Sequence, residues 1–327
     1  MPTCKVFCHC YSHQHQVGGQ KDTYKHVDAL NDLGYEAYIV HDRPGFRLTW
    51  FDNATRVIDW RTAARLMNCE RDYVVLPEDL GARILEYRGR KIIFNKSLWR
   101  GFSSLENCQD RDPYRHPDVL AVLAMSEHNA RHLRLAYPQV AVIRVVPHID
   151  TAVFGFKPWV GRRRQIAFVP KCRQSVEALR RIVASRAAVG LNEASDVSWL
   201  PLTNMGEGAL AQTLQESLVV VFFSAEEGLG RVALEAMACG CVVVGFRNGS
   251  LQEILPSAAL FEWGDLAGVT QLIEDAVSRR PEAPRRFEEL ARLGQERARP
   301  YAPHAHRASV EAAWRAILRL ETLAARP

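Results

Sequence analysis

The stretch that decides the fold runs from Leu218 to Glu253 and reads LVVVFFSAEEGLGRVALEAMACGCVVVGFRNGSLQE. Its apolar, β-branched run from Val219 to Phe223 is typical of a fully buried strand, which ends at Ser224. A glycine-containing loop follows, then a predicted helix from Arg231 to Cys239 and a second buried strand from Cys241 to Phe246. This order predicts a βαβ unit of a parallel sheet, so a ligand is expected at the carboxyl ends of its strands.

Two carboxylates lie in this unit, Glu227 in the loop and Glu235 in the helix. Gly228 and Gly230 allow backbone amides to approach a ligand, and the helix N-terminus favours an anion. Ionised glutamates only accept hydrogen bonds, so they suit the hydroxyl groups of that ligand. An anion with hydroxyl groups on both sides describes a nucleotide sugar. The alternative for Glu235 is an i,i+4 pair with Arg231 on one helix face.

The segment EEGLGRVALEAMACGCVVVGFRNGSLQE resembles the donor-site signature of the group 1 (family 4-like) glycosyltransferases, which are retaining enzymes of GT-B fold. The resemblance implies that Glu227 is a catalytic residue beside the donor sugar and that Glu235 binds the nucleotide ribose. It also implies a donor-binding role for the residues between them, Gly228, Leu229, Gly230 and Arg231. Arg231 stands where a hydrophobic residue is usual in the family. Within the whole signature, ligand binding by Glu235 is favoured over the simple helix pair.

Length and composition are those of an ordinary globular protein, with 327 residues, 47% hydrophobic and 24% charged. No apolar run approaches a membrane span and MPTCKVFCHC lacks the features of a signal peptide, so a cytoplasmic location is expected. The net charge of +5 suits an acidic ligand or an anionic surface. Peripheral contact with the inner face of the membrane therefore stays open, whereas the charge is too weak to indicate a nucleic-acid partner.

Cysteines and histidines crowd the first fifteen residues and raise the question of a metal site. Cys4, Cys8 and Cys10 share one face of a strand by parity, and no C-x-x-C pair is present. Small buried thiols are therefore the favoured explanation, and no metal is predicted. His13 and His15 are better placed in an acceptor-binding loop, with His13 as a catalytic candidate. Solvated loop histidines are the equally weighted alternative.

The N-terminal stretch predicts a second βαβ unit. Residues 3 to 10 alternate as in a strand, a polar loop runs from Tyr11 to Gly19, a helix follows, and Tyr35 to His41 is the next strand. In the resembling family a glycine pair after the first strand approaches the donor phosphate and the acceptor. Gly18 and Gly19 occupy that position here.

Three further strands are predicted in this half, each followed by polar residues: Tyr73 to Leu76, Lys91 to Phe94 and Val119 to Met125. Glu78 follows the first of them and is an acceptor-side candidate. Many relatives carry a histidine that contacts the donor sugar, and it has no evident counterpart in this chain. Asn95 and Lys96 stand at a comparable strand end, so Asn95 is taken as a catalytic candidate.

Other elements follow from local signals. Ser126 is the expected N-cap of a helix from Glu127 to Ala136, and Asp265 of a helix further on. Irregular structure is expected over residues 43 to 71, with a helix at Arg61 to Asn68. The remaining elements are predicted at Val140–Val146, Trp199–Asn204, Leu255–Phe261 (strands), Glu207–Glu216 and Pro303–Leu323 (helices).

VVPHIDTAVF resembles the hinge segment of the family, with His148 in place of an Asn-Gly pair. We therefore expect an acceptor-side domain over residues 1–152 and a donor domain over residues 153–304. The helix over residues 305–327 is expected to pack back on the first domain, as in the family's fold. Arg162 to Arg164 lie in the basic link before a predicted strand from Gln165 to Val169 and are expected to be solvated.

The loop Pro170-Lys171-Cys172-Arg173 lies between that strand and the next helix. In the resembling family a lysine and an arginine of this loop neutralise the donor diphosphate in place of a metal, and Lys171 and Arg173 are assigned that role. Lysine supplies a point charge for phosphate and arginine a planar fork. The alternative is a solvated basic loop.

Together these features predict two doubly wound, Rossmann-like α/β domains that face each other across a cleft, as in the GT-B fold. The predicted activity is transfer of a sugar from a nucleotide sugar to a glycan or lipid-linked saccharide, with retention of configuration, as in polysaccharide biosynthesis. No metal or other cofactor is expected. Two rivals stay open, a sugar-nucleotide epimerase and a non-catalytic nucleotide-sugar-binding homologue.

Overall fold

The computed structural model describes residues 4–106, 108 and 111–324. The chain divides into two compact units. The first unit holds Met1–His148 together with Pro303–Pro327, and the second unit holds Ile149–Ala302. The C-terminal helix therefore belongs to the same unit as the N-terminal sheet.

Each unit is built around one parallel sheet. The strands of the first unit are β1 (Lys5–His9), β2 (Glu36–His41), β3 (Val57–Asp59), β4 (Tyr73–Pro77), β5 (Arg90–Asn95), β6 (Val119–Ala124) and β7 (Ala141–Arg144). Those of the second are β8 (Arg163–Phe168), β9 (Ser198–Pro201), β10 (Ser217–Phe222), β11 (Val242–Phe246) and β12 (Leu260–Phe261). The spatial orders are β3-β2-β1-β4-β5-β6-β7 and β12-β11-β10-β8-β9. The predicted pair of α/β parallel-sheet domains is confirmed.

The strand order reverses between β1 and β4 in the first sheet and between β8 and β10 in the second. At such a switch point the chain leaves neighbouring strands toward opposite faces, which opens a crevice at their carboxyl ends. The loops after these four strands are therefore where each unit has room for a ligand.

The helices connect the strands and cover the sheets. In chain order they are α1 (Gly18–Asp32), α2 (Trp60–Leu66), α3 (Leu98–Ser103), α4 (Glu127–Ala136), α5 (Arg173–Ala188), α6 (Glu207–Glu216), α7 (Arg231–Ala238), α8 (Leu251–Ile254), α9 (Leu266–Val277), α10 (Ala283–Ala298) and α11 (Pro303–Ala324). No helix in the described ranges has the length and apolar character needed to cross a membrane.

Helix α11 is held to the first unit by a buried tryptophan. The Trp314 side chain is fully buried, and its indole N–H donates to His26 Nε2 at 3.0 Å. Tyr73 meets the same ring edge-on, with centroids 5.3 Å apart. Burial lowers the pKa of His26 to about 3, so its imidazole stays neutral and able to accept this bond.

Local signals located many elements correctly. Helices α4 and α6 have the predicted bounds, and Ser126 and Asp265 act as the predicted N-caps through bonds from Asn129 N (3.0 Å) and Gly268 N (2.8 Å). Four elements were missed: β3, α3, α8 and α10. The longest of them, α10, begins after a proline-rich stretch that suggests a loop, but proline is tolerated in a first helical turn.

The prediction that Arg162 to Arg164 are solvated is wrong for two of the three. The Arg162 guanidinium donates to five backbone carbonyls, those of Lys157, Pro158, Leu214, Ser217 and Cys239. Arg164 binds Asp196 through Nε at 3.0 Å, whereas Arg163 remains mostly exposed beside Glu216. The planar guanidinium carries several N–H donors and can satisfy several carbonyl groups that converge on one place. This convergence depends on the fold, so a count of charges in the sequence does not reveal it.

Candidate active site

The best-defined candidate site lies at the switch point of the second sheet. Two loops leave the carboxyl ends of the central strands there, one after β8 and one after β10. The first is the predicted basic loop and the second carries the glutamate-glycine segment of the signature. The parallel pairing of β8 with β10 brings these distant segments side by side.

Lys171 and Glu227 meet at the carboxyl ends of these strands. The Lys171 ammonium forms an ion pair with Glu227 Oε2, and the Ser224 hydroxyl donates to the same oxygen at 3.2 Å. The ammonium also lies 5.7 Å from the centre of the Phe222 ring, the last residue of β10. The Lys171 side chain is 50% exposed and that of Glu227 only 14%. The pair thus combines a fixed carboxylate with a cation that a ligand can reach.

The turn after β11 supports the loop from the other side. Asn248 donates its amide N–H to the Ser224 carbonyl at 2.6 Å, and the Ser250 hydroxyl donates to the Glu227 carbonyl at 2.8 Å. Asn248 Oδ1 in turn accepts from Leu251 N at 2.8 Å. The local sequence of this turn does not by itself indicate a role. Its role is to hold the backbone on which Glu227 sits.

The glycines of the signature serve packing as well as backbone freedom. Gly230 precedes α7 with a φ of 89°, a conformation that favours glycine. A Cβ there would lie 3.0 Å from Leu251 Cδ2, so the helix start packs closely against α8. Gly228 and Leu229 are buried in the same loop. Their roles in donor binding stay predictions.

Glu235 forms the helix pair that was weighed as the alternative. Arg231 Nε donates to Glu235 Oε1 at 2.9 Å, and the two side chains are 12% and 4% exposed. The arginine that departs from the family pattern is therefore the partner of the predicted ribose ligand. The carboxylate of Glu235 is thus held in a buried ion pair at the start of α7, and its contact with a ribose stays a prediction.

Glu235→Gln is expected to weaken nucleoside diphosphate binding by roughly 10-fold to 100-fold, since a hydrogen bond to a charged group contributes about 1.5–3 kcal/mol. The loss should be seen mainly in the donor KM, because binding to ribose is the same in the ground and transition states. Titration calorimetry with UDP, GDP and ADP measures it. Unchanged affinity, with only a lower unfolding temperature, would restrict Glu235 to pairing with Arg231.

The second basic residue of the loop is placed differently from the first. Arg173 is the first residue of α5, and its side chain is exposed. Its guanidinium has no hydrogen bond or ion pair within the described residues, unlike the Lys171 ammonium. The structure therefore joins Lys171 to Glu227 and leaves Arg173 on the solvent side of the same loop.

The first unit places the predicted acceptor loop at its own switch point. The rings of His13 and His15 lie 5.0 Å apart, and Gln20 Nε2 is 3.2 Å from His13 Nε2. Partial burial and the neighbouring His15 lower the pKa of His13. The Tyr11 hydroxyl, after β1, donates to Asp79 Oδ1 at 2.8 Å, after β4. These groups form a polar, partly exposed edge.

Gly18 and Gly19 open α1 at this edge, and Gly19 is packed against a lysine. A Cβ at Gly19 would lie 2.8 Å from Lys96 Cδ, so a larger residue would require the lysine side chain to shift. The Lys96 ammonium sits 4.9 Å from the centre of the Phe94 ring. In the sequence, Lys96 is evident only as the neighbour of Asn95. Nothing in the local sequence signals its place across α1.

Asn95 and Glu78 lie at the predicted strand ends, but their side chains are enclosed. Asn95 is fully buried, donates to the Tyr114 hydroxyl at 3.1 Å and accepts from Asn129 at 3.4 Å. Glu78 is 3% exposed and accepts from Ser97 N at 2.8 Å, and burial raises the pKa of its carboxyl. This geometry indicates that both side chains hold the neighbouring loops in place. Contact of either side chain with an acceptor stays a prediction.

The cysteines of β1 behave as the sequence indicated. Cys4, Cys8 and Cys10 are buried thiols that form no disulfide among the described residues, and burial raises the pKa of Cys10 to about 12. Among the described residues no group of three or more histidine, cysteine, aspartate or glutamate side chains is arranged to hold a metal ion.

Residues 159–278, which contain this loop pair and the signature helix, match the sequence model of the family described as glycosyl transferases group 1. The protein is a glycosyltransferase. A search of curated protein sequences finds no match to this glycosyltransferase. The family match covers the strands, loops and helices that carry Lys171, Glu227 and Glu235.

Several solved structures share the fold of this glycosyltransferase. Sucrose-phosphate synthase from Thermosynechococcus elongatus has a TM-score of 0.70 at 14% identity, covering 97% of this chain and 99% of that one. HepE from Anabaena, in complex with UDP and glucose, has a TM-score of 0.65 at 12% identity, covering 96% and 100%. A glycosyltransferase from Rickettsia africae has 0.62 at 12% identity, covering 96% and 98%. The likeness extends over both units and assigns the GT-B fold.

Proposed function

We propose that the protein transfers a sugar from a nucleotide sugar to a glycan or lipid-linked saccharide acceptor, with retention of configuration. The observation that carries the proposal is the Lys171–Glu227 pair at the switch point of the second sheet, inside the segment that matches group 1 glycosyltransferases. A carboxylate and a reachable cation at a strand edge suit a ligand with both hydroxyl groups and phosphates.

The residues of the second unit have distinct proposed roles. Lys171 neutralises the diphosphate as it leaves, aided by Arg173 from the exposed start of α5. The backbone amides of the Gly228–Gly230 loop and the start of α7 add donors to the same charge. Glu227 lies beside the reacting sugar and Glu235 binds the ribose. Fixed charges and donors of this kind lower the barrier because they need no reorientation during the reaction.

The nucleotide is proposed to be a uridine diphosphate. Support comes from HepE, whose structure holds UDP and glucose and whose fold covers nearly the whole of this chain. Guanosine and adenosine nucleotide sugars are the alternatives to be compared with it. No residue named above specifies the sugar, which is identified by testing different nucleotide sugars.

The test is incubation of the full chain with UDP-, GDP- and ADP-sugars, with and without saccharide acceptors. Transfer, or slow hydrolysis of one donor, supports the proposal, and the anomer first released, read by proton NMR, tests retention. An isomerised sugar would identify an epimerase instead. Nucleotide binding without any turnover would identify a non-catalytic homologue.

Turnover is expected to continue in EDTA, because Lys171 supplies beside Glu227 the positive charge that a divalent cation would otherwise bring to the diphosphate. The measurement compares initial rates after chelation with rates after addition of magnesium or manganese. Lys171→Met provides the matched variant, since it removes the charge and keeps an unbranched side chain. Activity that EDTA abolishes and manganese restores would contradict metal-independent transfer.

A further inference from the structure

Three aromatic rings surround a buried histidine at the carboxyl end of β1. The His9 ring stacks on Trp60 at 5.8 Å and meets Tyr11 and Tyr87 edge-on at 5.2 and 5.8 Å. Trp60 and Tyr87 also touch, with centroids 5.0 Å apart. We call Tyr11, Trp60 and Tyr87 the aromatic cluster. All three rings are half-buried, so each keeps part of its surface toward solvent.

The hydrogen bond to Trp60 fixes the tautomer of His9. Trp60 Nε1 lies 3.3 Å from His9 Nδ1, and an indole N–H can only donate, so Nδ1 accepts. A neutral imidazole with Nδ1 accepting carries its proton on Nε2. The side chain is 3% exposed, and burial lowers the pKa of His9 to about 4, so the neutral form prevails near pH 7.

The Nε2–H of His9 has no hydrogen-bond partner among the described residues. A buried donor without an acceptor costs free energy, and a ligand that supplies the missing acceptor is one explanation for such a group. His9 is the last residue of β1, one of the two strands at the switch point of the first sheet. The unmet donor therefore lies at the edge where the fold leaves room for a ligand.

The charges around the aromatic cluster favour a neutral ligand. Asp79 and Asp42 are exposed at this edge, and both contribute to the electrostatic field at His9. Their oxygens can accept bonds from hydroxyl groups but repel an anion. His41 and Lys96 also act on His9, and Lys96 lies across Gly19. Aromatic walls with a few polar groups are typical of sites that bind a flat, hydroxyl-bearing ring.

We propose that the aromatic cluster binds the saccharide acceptor and selects a neutral sugar ring over a phosphorylated one. The inference rests on the proposed transferase function and names the substrate class of its acceptor side. A sugar hydroxyl replaces the Tyr11 hydroxyl on Asp79, the Tyr11 ring turns, and a second hydroxyl accepts from His9 Nε2–H. Binding thereby satisfies the buried donor that the free protein leaves without a partner.

The first experiment uses the donor identified in the nucleotide-sugar panel and compares two kinds of acceptor. Maltose, cellobiose and lactose are expected to increase release of the nucleoside diphosphate, whereas glucose 6-phosphate and fructose 6-phosphate are not. Stimulation by the phosphorylated sugars, or by none of the neutral ones, overturns the inference. Absence of any donor binding or hydrolysis without acceptor would contradict the transferase function instead, so the two failures are distinguishable.

Variants then locate the site. Trp60→Ala is expected to raise the acceptor KM about tenfold. The matched control is Trp99→Ala, because Trp99 is a 41% exposed tryptophan of the same unit that lies outside the aromatic cluster. Its kinetics are expected to equal those of the wild type. Equal effects of the two changes, or none at Trp60, overturn the placement of the acceptor.

The His9 donor is tested by two amides of different length. Glutamine can place an N–H near the position of Nε2, whereas asparagine reaches only the position of Nδ1. His9→Asn is expected to raise the acceptor KM roughly threefold to tenfold, and His9→Gln to recover most of the loss. Nitrogen-15 NMR of the histidine-labelled wild type checks the tautomer without any variant. A proton on Nδ1, or the reverse order of the two variants, contradicts the role of Nε2–H.

Discussion

Glu227→Gln is expected to lower kcat by about 100-fold to 1,000-fold, the range seen when a fixed electrostatic group beside a reacting centre is lost. Positive charge develops on the sugar as the nucleoside diphosphate departs, and a carboxylate next to it stabilises that charge. Glutamine keeps the shape and loses the charge. The donor KM should change much less, because the interaction is strongest in the transition state.

The neighbouring glutamate is the matched control for this prediction. Glu226 precedes Glu227 in the same loop and is exposed, whereas Glu227 is held by Lys171 and Ser224. Glu226→Gln changes the loop's net charge by the same amount and should leave kcat unchanged. Steady-state rates of nucleoside diphosphate release measure both variants. Similar losses in the two would mean that only the overall charge of the loop matters, and would remove Glu227 from the catalytic assignment.

Gly240→Ala is expected to destabilise the protein by about 3 kcal/mol or more. Gly240 ends the signature helix with a φ of 78°, where a side chain is strained. An added Cβ would also lie 2.6 Å from the Lys157 carbonyl oxygen and 2.6 Å from Phe156 Cε2. The Lys157 backbone is tied to Cys239 by a 3.0 Å hydrogen bond and cannot easily withdraw.

Gly190→Ala separates the two causes. Gly190 has nearly the same φ of 75°, but nothing lies within 4 Å of its added Cβ. Only backbone strain is therefore introduced, at a cost of roughly 1 kcal/mol. Urea unfolding of both variants gives the comparison. If both substitutions lower the free energy of unfolding by the same amount, close packing does not explain the glycine at position 240.

The sequence by itself determined the elements whose signals are local. Buried apolar runs bounded by polar residues gave the strands of the signature unit, and periodicity with N-caps at Ser126 and Asp265 gave helices at nearly their true bounds. The alternation of strands and helices was enough for two parallel-sheet domains. These features depend on residues within one or two turns of each other, so the chain order contains them.

Only the tertiary structure decided which side chains meet. Lys171 and Glu227 are 56 residues apart, and strand pairing alone makes them partners. Burial is likewise a property of the assembled fold. Asn95 reads as an exposed polar strand end but is enclosed, and Arg162 reads as solvated but meets five carbonyls. The unpartnered donor of His9 has no local signal either, because the rings that cover it come from three separate segments. Contacts of this kind depend on sheet order and packing, which a linear pattern does not specify.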